Sequence, residues 1–285
     1  MNRVKRHQEW EQRRLVVNKF LSNKLAVTGS VILLFMLFCA LAAPILCPAN
    51  PYEMTVSDRL KGPGPGHLFG TDSFGRDLLT RVLYGARISL SIGAAVSAAA
   101  LGMGIIIGLY AAYYRYLDNL LMRLCDSLSA IPSTLLAIAL MAVLGAGAKN
   151  VIISLSIIFT PGVARIARAA ALSVKERTYI EAMRAQGARA ARILWLHIFP
   201  NILGPIIVQG SYIFASTIIS EAALSFLGVG VPIPEPSWGN ILYEGKGVIY
   251  NSLWMVIFPG AFTVLSVLAL NLFGDGLRDV LDPNT

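Results

Sequence analysis

Residues 70–77 read Gly-Thr-Asp-Ser-Phe-Gly-Arg-Asp and hold two glycines at the spacing of a phosphate-binding loop. Such a loop grips phosphate and magnesium through a Lys-Ser/Thr pair after the second glycine. Here Arg76 and Asp77 stand in those places, so the stretch carries no nucleotide chemistry. The three histidines, His7, His67 and His197, are far apart, and neither a His-Glu metal helix nor a nucleophile elbow occurs. Cys39, Cys47 and Cys125 have no metal-ligand spacing, and two of them fall in apolar runs, which argues against a structural disulfide. The sequence therefore offers no catalytic residue and no metal site.

Two acids and two prolines lie inside apolar stretches. Asp126 follows Arg123 by three residues, and a local ion pair accounts for it. Glu221 stands near the end of a long apolar run. A hydrogen bond to the bend that follows is one reading of it, and contact with a solute's ammonium group is another. Pro132 and Pro161 free backbone groups and mark candidate gating bends, although helix packing alone also accommodates them. Glycines 93, 102, 104 and 108 favour close helix packing.

The most informative stretch runs from Ser173 to Asn201. Lys175 to Gln186 has good helix propensity, Ile180 and Met183 give it a narrow apolar side, and Gly187 sits where the helix would turn. A second helix is expected from Ala188, interrupted near Pro200. The residues fit a helix resting on anionic headgroups. They fit equally a surface with small residues (Ala182, Ala185, Gly187, Ala188) that a soluble partner approaches closely.

The elements that must position these residues follow from charge. Of 285 residues, 55% are hydrophobic and only 14% charged, too few charges for a soluble domain of this size. Uncharged runs near residues 25–52, 88–114, 127–148, 151–172, 193–220 and 247–274 predict six spanning helices, with Arg165 and Arg168 at one end of the fourth. The third is expected at 119–144 and joins the second through a short turn. Lys and Arg crowd residues 3–24 and the loop from 165 to 192, so both lie on the cytoplasmic side, as do both termini. Most of the formal +8 is this topology signal, and no basic patch interleaved with aromatics points to nucleic acid. The first apolar run is too long, and preceded by too many polar residues, for a cleaved signal peptide. The expected organisation is a basic amphipathic segment on membrane lipid (1–24), a first span (25–46), and an outer segment (47–86) ending in a helix from Asp72. A core of five spans (87–275) follows, containing the inner loop 173–200, and then a cytoplasmic tail (276–285).

Glu181-Ala182-Met183-x3-Gly187, with Pro200 thirteen residues beyond, resembles the loop that marks membrane subunits of bacterial binding-protein-dependent ABC importers. Phe69-Gly70-Thr71-Asp72-x2-Gly75-Arg76-Asp77, His197-Ile198-Phe199-Pro200-Asn201, Glu221-x2-Leu224-Ser225-Phe226-Leu227-Gly228, Pro236-x-Trp238-Gly239 and a terminal Asn271 to Pro283 stretch are similar to the dipeptide, oligopeptide and nickel class. In this order and spacing the match is specific, covers residues 60–285, and resembles the second, OppC/DppC-like, permease subunit. Met183 and Phe199 depart from the usual alanine and leucine.

The resemblance implies an all-α, six-span type I importer fold in the bacterial inner membrane. It implies a homologous partner permease, two separate ATPases that hold ATP and magnesium, and an extracytoplasmic binding protein. The chain itself then binds no cofactor and is not an enzyme. Tyr179, Glu181, Ala182, Arg184, Gly187, Arg189, His197, Pro200 and Asn201 become the ATPase-coupling residues, with Glu181 as an internal hydrogen-bond partner. Gly70, Thr71, Asp72, Gly75, Arg76 and Asp77 become the outer signature, read either as a plain loop or as a contact for the binding protein or partner permease. The implied solutes are di- and oligopeptides, with nickel or a metal chelate as the alternative. An ion-coupled secondary transporter predicts paired charges inside the spans and related halves, which the sequence lacks.

Overall fold

Without water to satisfy backbone groups, apolar runs of this length have the helix as their means of crossing a membrane. A computed structural model describes residues 18–281, and they are nearly all helical. Residues 1–17 of the expected surface segment and the tail beyond 281 lie outside the described residues. We number the helices α1 (Lys24–Leu46), α2 (Leu78–Tyr113), α3 (Arg115–Ser129), α4 (Ser133–Leu144), α5 (Ala148–Lys175), α6 (Thr178–Ala185), α7 (Ala190–Phe226), α8 (Trp238–Lys246) and α9 (Trp254–Leu281).

Five of these, α1, α2, α5, α7 and α9, are long and apolar enough to span a membrane singly. The expected third span at 119–144 is not one helix. It is the pair α3 and α4, bent by 91° around Ala130 to Pro132. The cause is readable in the residues. Pro132 disfavours the helical state of the residue before it. Residues 115–129 carry Arg115, Asp118, Arg123 and Asp126 on one side of a strongly amphipathic helix, which suits an end of the bundle better than its interior. The crossing is nonetheless completed. Asp118 lies against Arg168 near the end of α5, whereas the Gly147 N–H bonds Gly230 O, 3.1 Å away in the loop after α7, so residues 118 and 147 stand at opposite ends.

The boundaries also shift. α2 begins at Leu78 and runs unbroken through position 86, where the outer segment was expected to end. α9 continues to Leu281, so the first six residues of the expected tail prolong the last span. Asn23 Nδ2 reaches Asp279 Oδ2 at 3.2 Å, bringing both ends of the described chain to one side.

α2 packs most extensively on α5. A β-carbon at Gly104 or Gly108 would fall 2.4–2.6 Å from Val163, Ala164 or Ala167, so the bare backbone sets the interhelix distance. Gly93 faces Phe214 of α7 instead, and Gly102 faces open space. The largest buried cluster joins α2, α5 and α7 and includes Val174, Ile180, Ile193 and Ile198, so the short α6 is anchored in the same core as the spans.

Candidate functional site

Two polar clusters lie at opposite ends of the bundle. At one end α6 follows α5 after a two-residue turn, which corrects the expectation of a single helix from Lys175 to Gln186. α6 seats itself through Ile180, which is fully buried. Its C-terminus closes in the Schellman pattern: Ala188 N–H bonds Met183 O at 3.0 Å and Gly187 N–H bonds Arg184 O at 2.9 Å. Gly187 has φ of +77°, a conformation that L side chains rarely adopt, yet nothing lies within 4 Å of where its β-carbon would be. The glycine is therefore required by backbone conformation and not by a close neighbour.

Two side-chain contacts hold α6 to the spans, and a third fixes the end of α5 just before it. Asn201 Nδ2 donates to His197 O at 2.7 Å and reaches the Tyr179 hydroxyl at 3.5 Å, which brings Tyr179, His197 and Asn201 together. Arg184 lies over the Tyr113 ring, 5.1 Å from its centre, at the end of α2. Lys175 Nζ donates to Ala112 O at 2.7 Å on that same helix end. Arg184 thus covers the Tyr113 ring while remaining exposed itself. The Glu181 side chain, expected to make an internal hydrogen bond, makes none among the described residues, and Glu181 is exposed, as are Ala182, Gln186 and Arg189. Pro200 does not interrupt the helix. The six residues Ile193–Ile198 widen into a π turn, which accommodates the proline ring and its missing N–H, and the helix runs on to Phe226.

The companion surface helix α3 is pinned by Arg168 to Asp118 (2.5 Å) and by Arg165 to Asp126 (3.2 Å). Asp126 therefore pairs across to α5 and not with Arg123, and it is exposed. Pro132 caps α4 at the bend, and Pro161 is buried within an unbroken α5.

At the other end the outer signature folds in on itself. Asp72 Oδ1 accepts N–H groups of Phe74 and Arg76, and its Oδ2 accepts Arg76 Nε and Arg81 Nη1, both at 2.6 Å. Glu244 of α8 completes the cluster, with Oε2 2.7 Å from Arg76 Nη2 and 2.9 Å from Arg81 Nη1. All four side chains are at most 7% exposed, and their formal charges cancel. Thr71 bonds the Lys61 N–H at 2.8 Å and the Asp58 carbonyl, while its own carbonyl accepts Trp254 Nε1 at 3.1 Å. Asp77 caps α2 through the Thr80 N–H and meets His67 Nδ1 at 2.9 Å. That bond holds the His67 imidazole above the usual histidine value, with burial opposing and Asp58 assisting. Gly70 and Gly75 both have positive φ, and a β-carbon at Gly75 would lie 1.9 Å from the Thr55 carbonyl oxygen.

Glu221 is fully buried. Ser89 and Ser225 donate to its two oxygens at 3.1 and 2.8 Å, and these hydroxyls accept the N–H groups of Trp238 and Val231. One carboxylate thereby joins α2, α7 and the loop between α7 and α8. Glu244, Lys175 and Tyr113 were missed from sequence. Glu244 is signalled only by being the one acid in the stretch from Pro236 to Gly274.

Among solved structures, an inward-facing MetNI methionine ABC transporter matches with a TM-score of 0.59 and 20% identity. The match covers 71% of this chain and 97% of that one, and it shows the fold. Residues 104–285 match the family described as binding-protein-dependent transport system inner membrane component. This chain belongs to that family. Residues 11–63 also match the N-terminal TM domain of oligopeptide transport permease C. A putative peptide transport system permease protein of Brucella suis is 48% identical over 255 residues, covering 90% of this chain and 86% of that protein. The dipeptide transport system permease protein DppC of Alkalihalophilus pseudofirmus is 44% identical over 262 residues (92% and 86%). The glutathione transport system permease protein GsiD of Pectobacterium atrosepticum is 40% identical over 267 residues (93% and 89%). The chain is thus an OppC/DppC-like ABC importer permease with the type I fold: a multi-pass transport subunit and not an enzyme, with ATP hydrolysis on separate chains. Partner permease and ATPase subunits go with that family in general.

Proposed function

We propose that this permease imports di- and oligopeptides across the inner membrane, forming the path with a second, homologous permease. Two ATPases would bind the α6 end, and an extracytoplasmic binding protein the Asp72 end. Both termini are then cytoplasmic, and ATP and magnesium act on the ATPases, with no cofactor on this chain. The observation that carries the reading is α6 itself, a short helix fused by Ile180, Tyr179 and Arg184 to three spans while Glu181, Ala182 and Gln186 face outward. A body joined so tightly transmits a push from a partner to α2 and α7 as a rigid lever. Gly187 shapes it, and Arg189 is a free contact. Pro132, at the 91° bend, and Pro161 are the places where the path bends on gating. Asp126 holds the bend's surface helix in place, and Glu221 holds its loop instead of touching solute. The peptide assignment is supported by relatives named for peptide, dipeptide and glutathione transport. It is tested by reconstituting the chain with the products of neighbouring genes and measuring ATP-dependent uptake of labelled di- and oligopeptides and of nickel. Peptide uptake that needs ATP is expected. Uptake of nickel alone would move the reading to the metal branch, and ion-driven uptake by this chain alone would overturn it.

A further inference from the structure

A cavity of about 650 Å³ opens between α1, α2, α7 and the loop before α8. Tyr52, Tyr84, Arg87 and Glu235 line it together with the apolar flanks of Leu37, Leu90 and Phe214. A second cavity of about 430 Å³ shares Leu37, Leu90, Ala94 and Phe214 with the first and continues along α2 as far as Leu101. The two form one groove. Leu101 lies fourteen positions beyond Arg87 along unbroken helix, or about 21 Å. One leaflet of bilayer hydrocarbon is about 15 Å deep, so the groove has the length of a headgroup plus one leaflet.

Its polarity is graded along that length. Arg87 is exposed and makes no ion pair or hydrogen bond among the described residues, lying only over the Tyr84 ring at 5.7 Å. Glu235 is exposed, and its carboxylate has no cationic partner among the described residues and accepts only the Tyr52 hydroxyl at 3.3 Å. One unmatched cation and one unmatched anion thus line the upper cavity, and the lower one is almost wholly apolar. A peptide also carries both charges, but its backbone would lose hydrogen bonds along the lower groove, where only Ser97 and Ser211 are polar.

We propose that this groove is a binding site for a zwitterionic phospholipid whose headgroup ends in a primary ammonium. Arg87 takes the phosphate, Glu235 the ammonium, and one acyl chain lies along α2 against Phe214. A quaternary headgroup has no N–H to donate to Glu235, and an anionic headgroup would leave Glu235 facing like charge. The site would tie the bilayer to the loop that also carries the bonds of Glu221 and Trp238.

The test is native mass spectrometry of the delipidated complex of this chain with its partners, titrated with dioleoyl phosphatidylethanolamine, phosphatidylcholine or phosphatidylglycerol. One phosphatidylethanolamine per copy of this chain is expected, retained about tenfold better than the other two, the scale of one charge-assisted contact. Glu235→Lys is expected to reverse the preference toward phosphatidylglycerol. Arg87→Gln, also at an exposed position, is expected to weaken retention of both phosphatidylethanolamine and phosphatidylglycerol. Equal retention of all three lipids, a preference unmoved by Glu235→Lys, displacement of the lipid by trialanine, or a cross-link placing a partner-permease helix in the groove would each overturn the proposal.

Discussion

The two ends of this permease use charge in opposite ways. At the Asp72 end, Asp72, Arg76, Arg81 and Glu244 consume one another in a sealed, neutral cluster that staples the outer segment to α2 and α8. At the α6 end Glu181, Gln186 and Arg189 are left exposed, and the helix is held instead by one buried isoleucine and contacts at its margins. A buried ion cluster is a poor handle for a partner because its paired charges lie out of reach from the surface. Its value lies in rigidity, since removing any one member leaves an uncompensated buried charge. An exposed helix on a stiff base is suited to docking. The difference implies that substitutions at the Asp72 end damage stability first, and that those on the outer face of α6 damage coupling first.

The sharpest break of that comparison is Glu244→Ala or Arg76→Ala. Each should cost about 3–5 kcal/mol, read as a lowered unfolding temperature in lipid nanodiscs. A loss below 1 kcal/mol would mean that the cluster is not a staple. Next is Gly187→Ala, which forces an L residue into the left-handed region at about 1–2 kcal/mol. It should weaken association with the ATPases while membrane insertion is intact. Gly187→Asn should be milder, because asparagine tolerates that conformation better, and because the space around Gly187 is open a larger side chain should add little beyond the backbone penalty. Equal effects of Ala and Asn would contradict the conformational account.

The smallest effect concerns His67. Its folded value is raised, so the protonated ring is the form the fold stabilises. That contribution is complete below the unfolded value of about 6.5 and is lost as pH rises through the higher folded value. Protection of the outer segment from proteolysis should therefore fall modestly from pH 6 to pH 9, by less than about 1 kcal/mol for so accessible a pair. His67→Gln should flatten the dependence, and a profile identical to wild type would remove His67 from the account.

How much was legible in the sequence follows the same division. The spans at α1, α2, α5, α7 and α9 declare themselves through uninterrupted apolar length, and Gly187 announces its turn. The third span misleads because Leu120, Leu121 and Leu124 read as apolar in a window, whereas their spacing among charges makes a surface helix. Arg76 and Arg81 read as ordinary loop charges because their partner Glu244 is more than 160 residues away, a pairing that no local pattern reveals. Likewise Asp126 has a tempting neighbour in Arg123, but on the folded chain Arg165 lies beside it. Pro200 signals a break, and the π turn before it absorbs the defect without one.

The central claim, that the outward face of α6 meets an ATPase, is tested most directly by site-specific cross-linking. A cysteine at exposed Ala182 and a control cysteine at exposed Leu68, at the opposite end, would each be treated with a short bifunctional reagent in the assembled transporter; the native cysteines are all buried. A nucleotide-sensitive adduct between Ala182→Cys and an ATPase chain is expected, with none from Leu68→Cys. An ATPase adduct from Leu68→Cys, or none from Ala182→Cys in a complex that still transports, would contradict it.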